Sequence, residues 1–456
     1  MGDFGPRRGY RGPRAPHGPF GELMDGATTG QARNLAVDFY RVSGVVLIVL
    51  GHWLAGSVTY HGGRFGRQNP LLDLPWTQWL TWIFQAVPVF FLVAGYAGGI
   101  SWTRRRAGDD FSRHAWTRHR LARVLGPTAA YVAPVWVAVA VAEFLGVSGS
   151  LLDYAGWAAA MHLWFLAIYL VVVSLTPIAV AAQGRWGLGV AAALAIGVIA
   201  LDAASVHGHV PYLGWLNYVF CWGLLYQLGI AWHGGLLGGL RPLLLATGSA
   251  VALALLIWRG GYPVSMIGVP GQAIENTTPP NAAMLAFGCT EAGLAIALAP
   301  AVNRALRAGW VRRALSVANT NVMALYLWHM IPAVIVAVVA YPAGLLPQPV
   351  EGSAAWWLAR LEWVVVLTVM TGAEMVVLGW QRRIFGAPLP TFGVRLPHRW
   401  GEAVTLAGAA MAVYSLEYLA ADGFAPDGRF PWATAVVFAA GLILVMFRPA
   451  DPRLSP

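Results

Sequence analysis

From residue 34 onward the chain alternates between long apolar runs and short gaps that hold most of its charge. A membrane-crossing helix needs about 20 predominantly apolar residues. On that measure, spans are expected near 35–55, 78–101, 125–146, 157–179, 187–204 and 212–232. Six more are expected near 243–258, 281–302, 318–341, 356–379, 402–420 and 432–447, the run at 243–258 being short. The pattern predicts an all-α polytopic membrane protein of twelve spans. No repeat at a fixed period is visible, and the breaker residues of the two halves do not correspond.

The remaining segments read as tails and loops. Residues 1–33, rich in Gly, Pro and Arg, hold too little apolar surface to fold and are expected to form a disordered cytoplasmic tail. No short apolar core with a small-residue cleavage site follows, so a cleaved signal peptide is not expected. Residues 381–401, broken by Pro388, Pro390 and Pro397, are expected to be a cytoplasmic loop. That loop would divide a ten-helix core, 34–380, from two further transmembrane helices within 402–447, before a cytoplasmic tail at 448–456.

Composition agrees with the pattern. Of 456 residues, 58% are hydrophobic and 11% charged, against about 25% charged in soluble domains; the mean hydropathy is +0.59. The net charge of +10 comes from 30 basic residues, all arginine, against 20 acidic ones. Nucleic-acid binding would need that charge gathered on a soluble face, and it is divided among the gaps instead. With a cytoplasmic N-terminus, 24 arginines fall on the inner side. Arg64, Arg67, Arg259 and Arg429 fall outside, and Arg41 and Arg360 lie within spans. This asymmetry is what the positive-inside rule predicts, and it places both termini in the cytoplasm and the protein in the cytoplasmic membrane. Cys221 and Cys289 each lie in an apolar run as packing residues; no disulfide framework or metal cluster is expected.

Ionisable groups inside spans are costly and mark function by default. The first span is the richest. His52 lies eleven positions after Arg41, which turns a helix by about 1100°, so the two share one face about 16 Å apart along its axis. Asp38 lies one turn before Arg41 and can pair with it.

These residues carry a family resemblance. Asp38-x-x-Arg41-x10-His52 resembles the first helix of the acyltransferase 3 family of membrane enzymes. Val87-Pro88-Val89-Phe90-Phe91-Leu92-Val93-Ala94-Gly95-Tyr96 resembles its second-helix signature of Pro, two aromatics and Ser-Gly-Phe. Arg118-His119-Arg120-Leu121-Ala122-Arg123, with Pro127 and Tyr131 beyond, resembles its cytoplasmic Arg-x-x-Arg motif. His162-Leu163-Trp164-Phe165-Leu166 and Leu325-Tyr326-Leu327-Trp328-His329 match two further runs. The five motifs fall in the family's order across roughly 34–380. Ala94 stands where the family usually has Ser, and Phe39-Tyr40 replaces a Gly-Leu pair. No esterase-like domain with a serine nucleophile is expected after the core.

The resemblance implies transfer of an acyl group, commonly acetyl, from acetyl-CoA or another acyl-CoA to a hydroxyl or amine. The expected acceptor is a cell-envelope glycan or glycolipid; membrane lipid is the other partner, and no metal or nucleic acid is expected. His52 suits a general base or a covalent acyl relay. Arg41 suits phosphate or carbonyl oxygens of the donor. Arg120 and Arg123, three apart on one helix face, suit the phosphates of CoA. His162, at a depth similar to His52, and His329, about three turns into the ninth span, are acceptor-site candidates or hydrogen-bonded packing residues, as is Trp164. Any of Glu143, Glu291 and Glu374 can orient His52 or pair with Arg360. The outer loops 55–77 and 259–280 are expected to shape acceptor choice, with His61, Arg64, Arg67 and Gln68 as contacts. A secondary transporter or lipid-linked glycan flippase is the rival reading. It would show internal repeats and paired broken helices, and the sequence displays neither.

Overall fold

A computed structural model describes residues 34–108, 111–206, 208, 210, 212–393 and 398–448. The expected tail at 1–33 and, beyond Arg448, the expected tail at 448–456 lie outside the described residues, as do Arg395 and the side chains of Arg67 and Arg399. In chain order the chain forms α1 (Leu35–Ala55), a hairpin of β1 (Ser57–His61) and β2 (Arg64–Gln68), α2 (Pro70–Asp73), α3 (Thr81–Phe84), α4 (Val87–Arg106) and α5 (Arg113–Phe144). There follow α6 (Gly149–Ala160), α7 (Trp164–Ser174), α8 (Thr176–Trp186), α9 (Gly189–Val206), α10 (Asn217–His233), α11 (Arg241–Trp258) and α12 (Ala282–Ala305). Last come α13 (Gly309–Trp328), α14 (Met330–Ala340), α15 (Ala354–Trp380), α16 (Arg382–Phe385), β3 (Phe392–Gly393), α17 (His398–Asp422), α18 (Trp432–Met446) and β4 (Phe447–Arg448).

The protein is an all-α polytopic membrane protein. Among the described residues nine helical stretches are long and apolar enough to cross a membrane, and the bent pair α13–α14 makes a tenth. Each of the twelve expected runs coincides with helix. The count of twelve is reached only if α10, at 17 residues, and α18, at 15, cross as well. Arg113 to Arg123 form the first turns of α5, a 32-residue helix started by the Ser112 side chain accepting from Ala115 N–H. One loop expectation is corrected. The segment 381–401 contains α16 and the start of α17, and Leu389 N–H bonds Ala122 C=O at 2.9 Å.

Helix packing relies on small residues, which let backbones approach where lipid offers no hydrophobic drive. A Cβ on Gly95 of α4 would lie 1.9 Å from the Tyr226 carbonyl oxygen of α10, and one on Gly229 would lie 2.0 Å from that of Leu92. Only glycine therefore permits this crossing, and it explains Gly95 in the second-helix motif. Phe91 stacks on Trp222 across the same interface, ring centroids 5.3 Å apart.

Two interruptions position the site. Pro332 has no N–H and its ring would crowd the carbonyl of Trp328 four residues earlier. The chain accordingly bends by 47° between α13 and α14, at His329. A second interruption, a 3₁₀ turn at Met161–Leu163, joins α6 to α7 at His162. A broken span is thus present where the sequence displayed none. Irregular backbone at membrane depth persists where protein or a cavity satisfies its freed groups. Here Tyr326 hydroxyl donates to the His162 carbonyl, and Trp53 Nε1–H donates to the His329 carbonyl at 3.0 Å.

Candidate active site

A cavity of about 1090 Å³ lies between α1, α6–α7, α14, α15 and α17, and is bordered beyond α1 by the hairpin and by residues 267–278. Its walls are mainly aromatic and aliphatic, with His52, His162, Trp164, Gln85 and Glu417 among the polar or amphipathic groups. The loop before α12 is fixed by its own hydrogen bonds. Asn276 Nδ2 donates to the carbonyls of Pro263 and Ser265 at 2.8 and 2.9 Å. Gln85 Nε2 reaches the Met266 carbonyl at 2.9 Å, and Trp82 Nε1 the Val264 carbonyl at 2.8 Å.

His52 is half-buried in the last turn of α1 and borders this cavity. Its Nδ1 lies 2.9 Å from Nε2 of His329, the two rings stacked at 5.2 Å and 17°. His329 Nδ1 lies 2.8 Å from the Tyr326 carbonyl oxygen. A carbonyl only accepts, so His329 Nδ1 carries the proton and, in the neutral ring, Nε2 is the acceptor. His52 must then donate from Nδ1. This leaves His52 Nε2 with its lone pair, and no described residue bonds it. A backbone carbonyl thus sets the tautomers of both rings in series.

His162 completes a cluster of three imidazoles. It is buried, with its ring edge-on to His329 at 5.0 Å and 5.3 Å from the Tyr326 ring. Apart from a weak backbone contact at Leu327, neither ring nitrogen has a hydrogen-bond partner among the described residues. Tyr131, from α5, packs at 5.8 Å and bonds the Ala159 carbonyl at 2.6 Å. Among the described residues no three His, Cys, Asp or Glu side chains, these imidazoles included, are placed to hold a metal ion together.

The other end of α1 is built differently. Asn303 of α12 accepts the orphan Ala36 N–H at 3.0 Å and donates to Asn34 at 2.9 Å, while Tyr40 hydroxyl donates to the Ala295 carbonyl at 2.8 Å. Arg41 donates to Asn319 Oδ1 of α13 at 3.3 Å. Asp38 is fully buried. Neither Arg41 nor Asp38 borders the cavity. Arg120 is buried beneath the start of α5, its guanidinium 5.5 Å from the Trp116 ring centre and hydrogen-bonded to Tyr226. Arg123, three residues on, is partly exposed.

The carboxylate expectations are corrected. Imidazole, from His329, meets His52. Glu143 instead accepts from Phe430 N–H at 3.0 Å, and the buried Oε2 atoms of Glu291 and Glu374 have no hydrogen-bond partner among the described residues. Arg360 pairs with none of the three: it donates to the Gly56 carbonyl at 2.7 Å and lies over Trp356 at 5.0 Å. Of the outer-loop candidates, Gln68 borders the cavity, whereas His61 and Arg64 are exposed on the hairpin. Sequence reasoning missed Trp53 and Trp363, which lace α1 to α13–α14 and α15; Trp363 Nε1 donates to the Trp53 carbonyl at 3.1 Å.

Three histidines thus lie together beside a large cavity within the helical bundle. The family model described as an acyltransferase domain matches residues 34–379, and the chain belongs to the acyltransferase 3 family. No curated protein and no solved structure matches it. The match ends before α17, yet Glu417, Ala420 and Ala421 of that helix border the cavity. Phe424, just beyond it, is fully buried 6.1 Å from both Tyr131 and Trp136.

Proposed function

We propose that this membrane acyltransferase moves an acyl group, acetyl in the simplest case, from acyl-CoA to a hydroxyl or amine of a cell-envelope glycan, glycolipid or related acceptor. His52 is the general base. The observation that carries this reading is the hydrogen-bonded series Tyr326 carbonyl, His329, His52, which leaves Nε2 of His52 as the basic nitrogen beside the cavity.

An acceptor hydroxyl in the cavity gives its proton to Nε2 as its oxygen bonds the thioester carbonyl carbon. The tetrahedral centre collapses, the carbon–sulfur bond breaks, and the CoA sulfur leaves with the proton returned by His52. While His52 is cationic, its Nδ1–H bond to His329 becomes charge-assisted and stronger. His162 sits where the acceptor would lie against the cluster, with Trp164 in the same wall.

The donor approaches from the arginine-rich end of the helices, which is the cytoplasmic face in this reading and holds both termini in the cytoplasm. Arg123 and the neighbouring arginines attract the CoA phosphates, and buried Arg120 supports that surface through Trp116 and Tyr226. Arg41, bonded to Asn319 and one turn beyond Asp38, lies about 16 Å along α1 from His52, between the phosphate surface and the base. The ten-helix unit at 34–380 supplies this machinery, and α17, the first of the two helices after it, walls the acceptor side.

The test uses full-length protein in proteoliposomes with labelled acetyl-CoA and cell-envelope lipid extract. Label enters the lipid or glycan fraction with wild type and fails to do so with correctly folded His52→Ala. Undiminished transfer by that variant would sink the mechanism. Uptake of a labelled glycolipid without acylation would favour the transporter reading.

A further inference from the structure

Arg360 is a charged side chain that nothing above employs. It lies in the first half of α15, is 7% exposed, and projects to the end of α1. One N–H satisfies the Gly56 carbonyl, and the guanidinium face covers Trp356. No carboxylate oxygen lies within 4.0 Å of it among the described residues; Glu351 acts on it only at longer range. A guanidinium carries several N–H donors, and the rest of these have no described partner. Burying an uncompensated charge beside the membrane is unfavourable by several kcal/mol, so such a group persists where a ligand supplies the opposite charge.

Its surroundings form a place for one. Arg360 borders a groove of about 50 Å³ together with His61, Gln68, Gln348 and Tyr341. That volume suits a small oxyanion and excludes a sugar ring. The groove shares Ser57, Val58, Gln68, Trp356 and Trp363 with the large cavity, so the two adjoin. Gln348 fixes the far wall by bonding both the N–H and the carbonyl of Tyr60, at 2.6 and 3.0 Å. Gly56 follows His52 by four residues, a separation of about 6 Å along the helix.

We propose that the acceptor is an anionic amphiphile, whose apolar chain fills the large cavity and whose phosphate or carboxylate rests on Arg360. This rests on the reading of the large cavity as the acceptor site. It also sets a distance: the hydroxyl to be acylated lies about one helical turn from the oxyanion.

Binding of radiolabelled dodecyl phosphate to the full chain in nanodiscs, against empty nanodiscs, tests the assignment without any acyl transfer. Dodecyl phosphate should compete about tenfold or more better than dodecanol or inorganic phosphate, the worth of a hydrogen bond to a charged group. Arg360→Gln should remove that preference while leaving dodecanol binding unchanged, and Arg360→Lys should keep most of it. His52→Ala should bind as wild type does. Equal competition by dodecanol, or by inorganic phosphate alone, in the unaltered protein would overturn the proposal. A chain that binds the probe as stated yet acylates nothing would refute the acyl-transfer reading and leave this one standing.

Discussion

Both ends of α1 carry polar side chains on one face, and their surroundings differ. Around Arg41 the polar atoms are spent on neighbouring helices: Asn303 on Ala36, Tyr40 on Ala295, Arg41 on Asn319. Around His52 the polar atoms are spent on fixing one ring, and the atom left over borders a cavity. The first arrangement holds helices in register. The second holds a proton acceptor ready. Spacing places Arg41 and His52 on one face, and only the third dimension separates a packed junction from an open one.

The strongest way to break this contrast is to remove each member. In His52→Ala the acyl-transfer rate should fall by about 10²–10⁴-fold, the usual worth of a general base, with little change in KM for acyl-CoA. His329→Ala should lower kcat by about 10²-fold, because an unheld His52 ring loses its tautomer and direction. Steady-state rates in proteoliposomes measure both. Arg41→Ala should instead lower stability by about 1.5–3 kcal/mol, the worth of a lost hydrogen bond to a charged group, read by thermal melts, and change kcat far less. An Arg41→Ala variant as slow as His52→Ala would erase the distinction between the two ends.

A smaller effect sharpens the hairpin side. Burial raises the Glu351 carboxyl pKa above the usual range, and the nearby Asp73 carboxylate adds to the rise. A raised carboxyl favours folding while it is protonated, and that contribution is lost as pH climbs through the folded-state pKa. Glu351→Gln should therefore raise Tm at neutral pH, and the gain should shrink toward pH of about 4, near the unperturbed value. Thermal melts across pH measure it, and a gain that grew in acid would contradict the assignment.

Much of this was legible in the chain. Hydropathy located each apolar run that became helix, because a span must be predominantly apolar along its length, and it missed the polar ends of α5 and α17. The five motifs gave the family and named His52, His162 and His329. The break at His329 was missed although Pro332 lies three residues beyond it, because the run stays predominantly apolar through the bend. What could not be read is partnership across distance. His52 and His329 are 277 residues apart, and a spacing argument that works within one helix says nothing between two. Carboxylates were the natural partners to expect for His52, since charge pairs are the strongest; the fold brings a second imidazole whose tautomer is set by a carbonyl freed at a bend. The role of α17 in walling the cavity was equally hidden, because a span facing protein and a span facing lipid are both apolar.

The central claim is that His329 acts only through His52. A double-mutant cycle on acyl-transfer kcat tests it most directly, comparing wild type, His52→Ala, His329→Ala and the double variant, each checked for folding. Residues that act as one unit are strongly non-additive, so the double variant should be no slower than His52→Ala alone. If the two losses simply multiply, the histidines act independently and the series from Tyr326 to His52 is not the catalytic device.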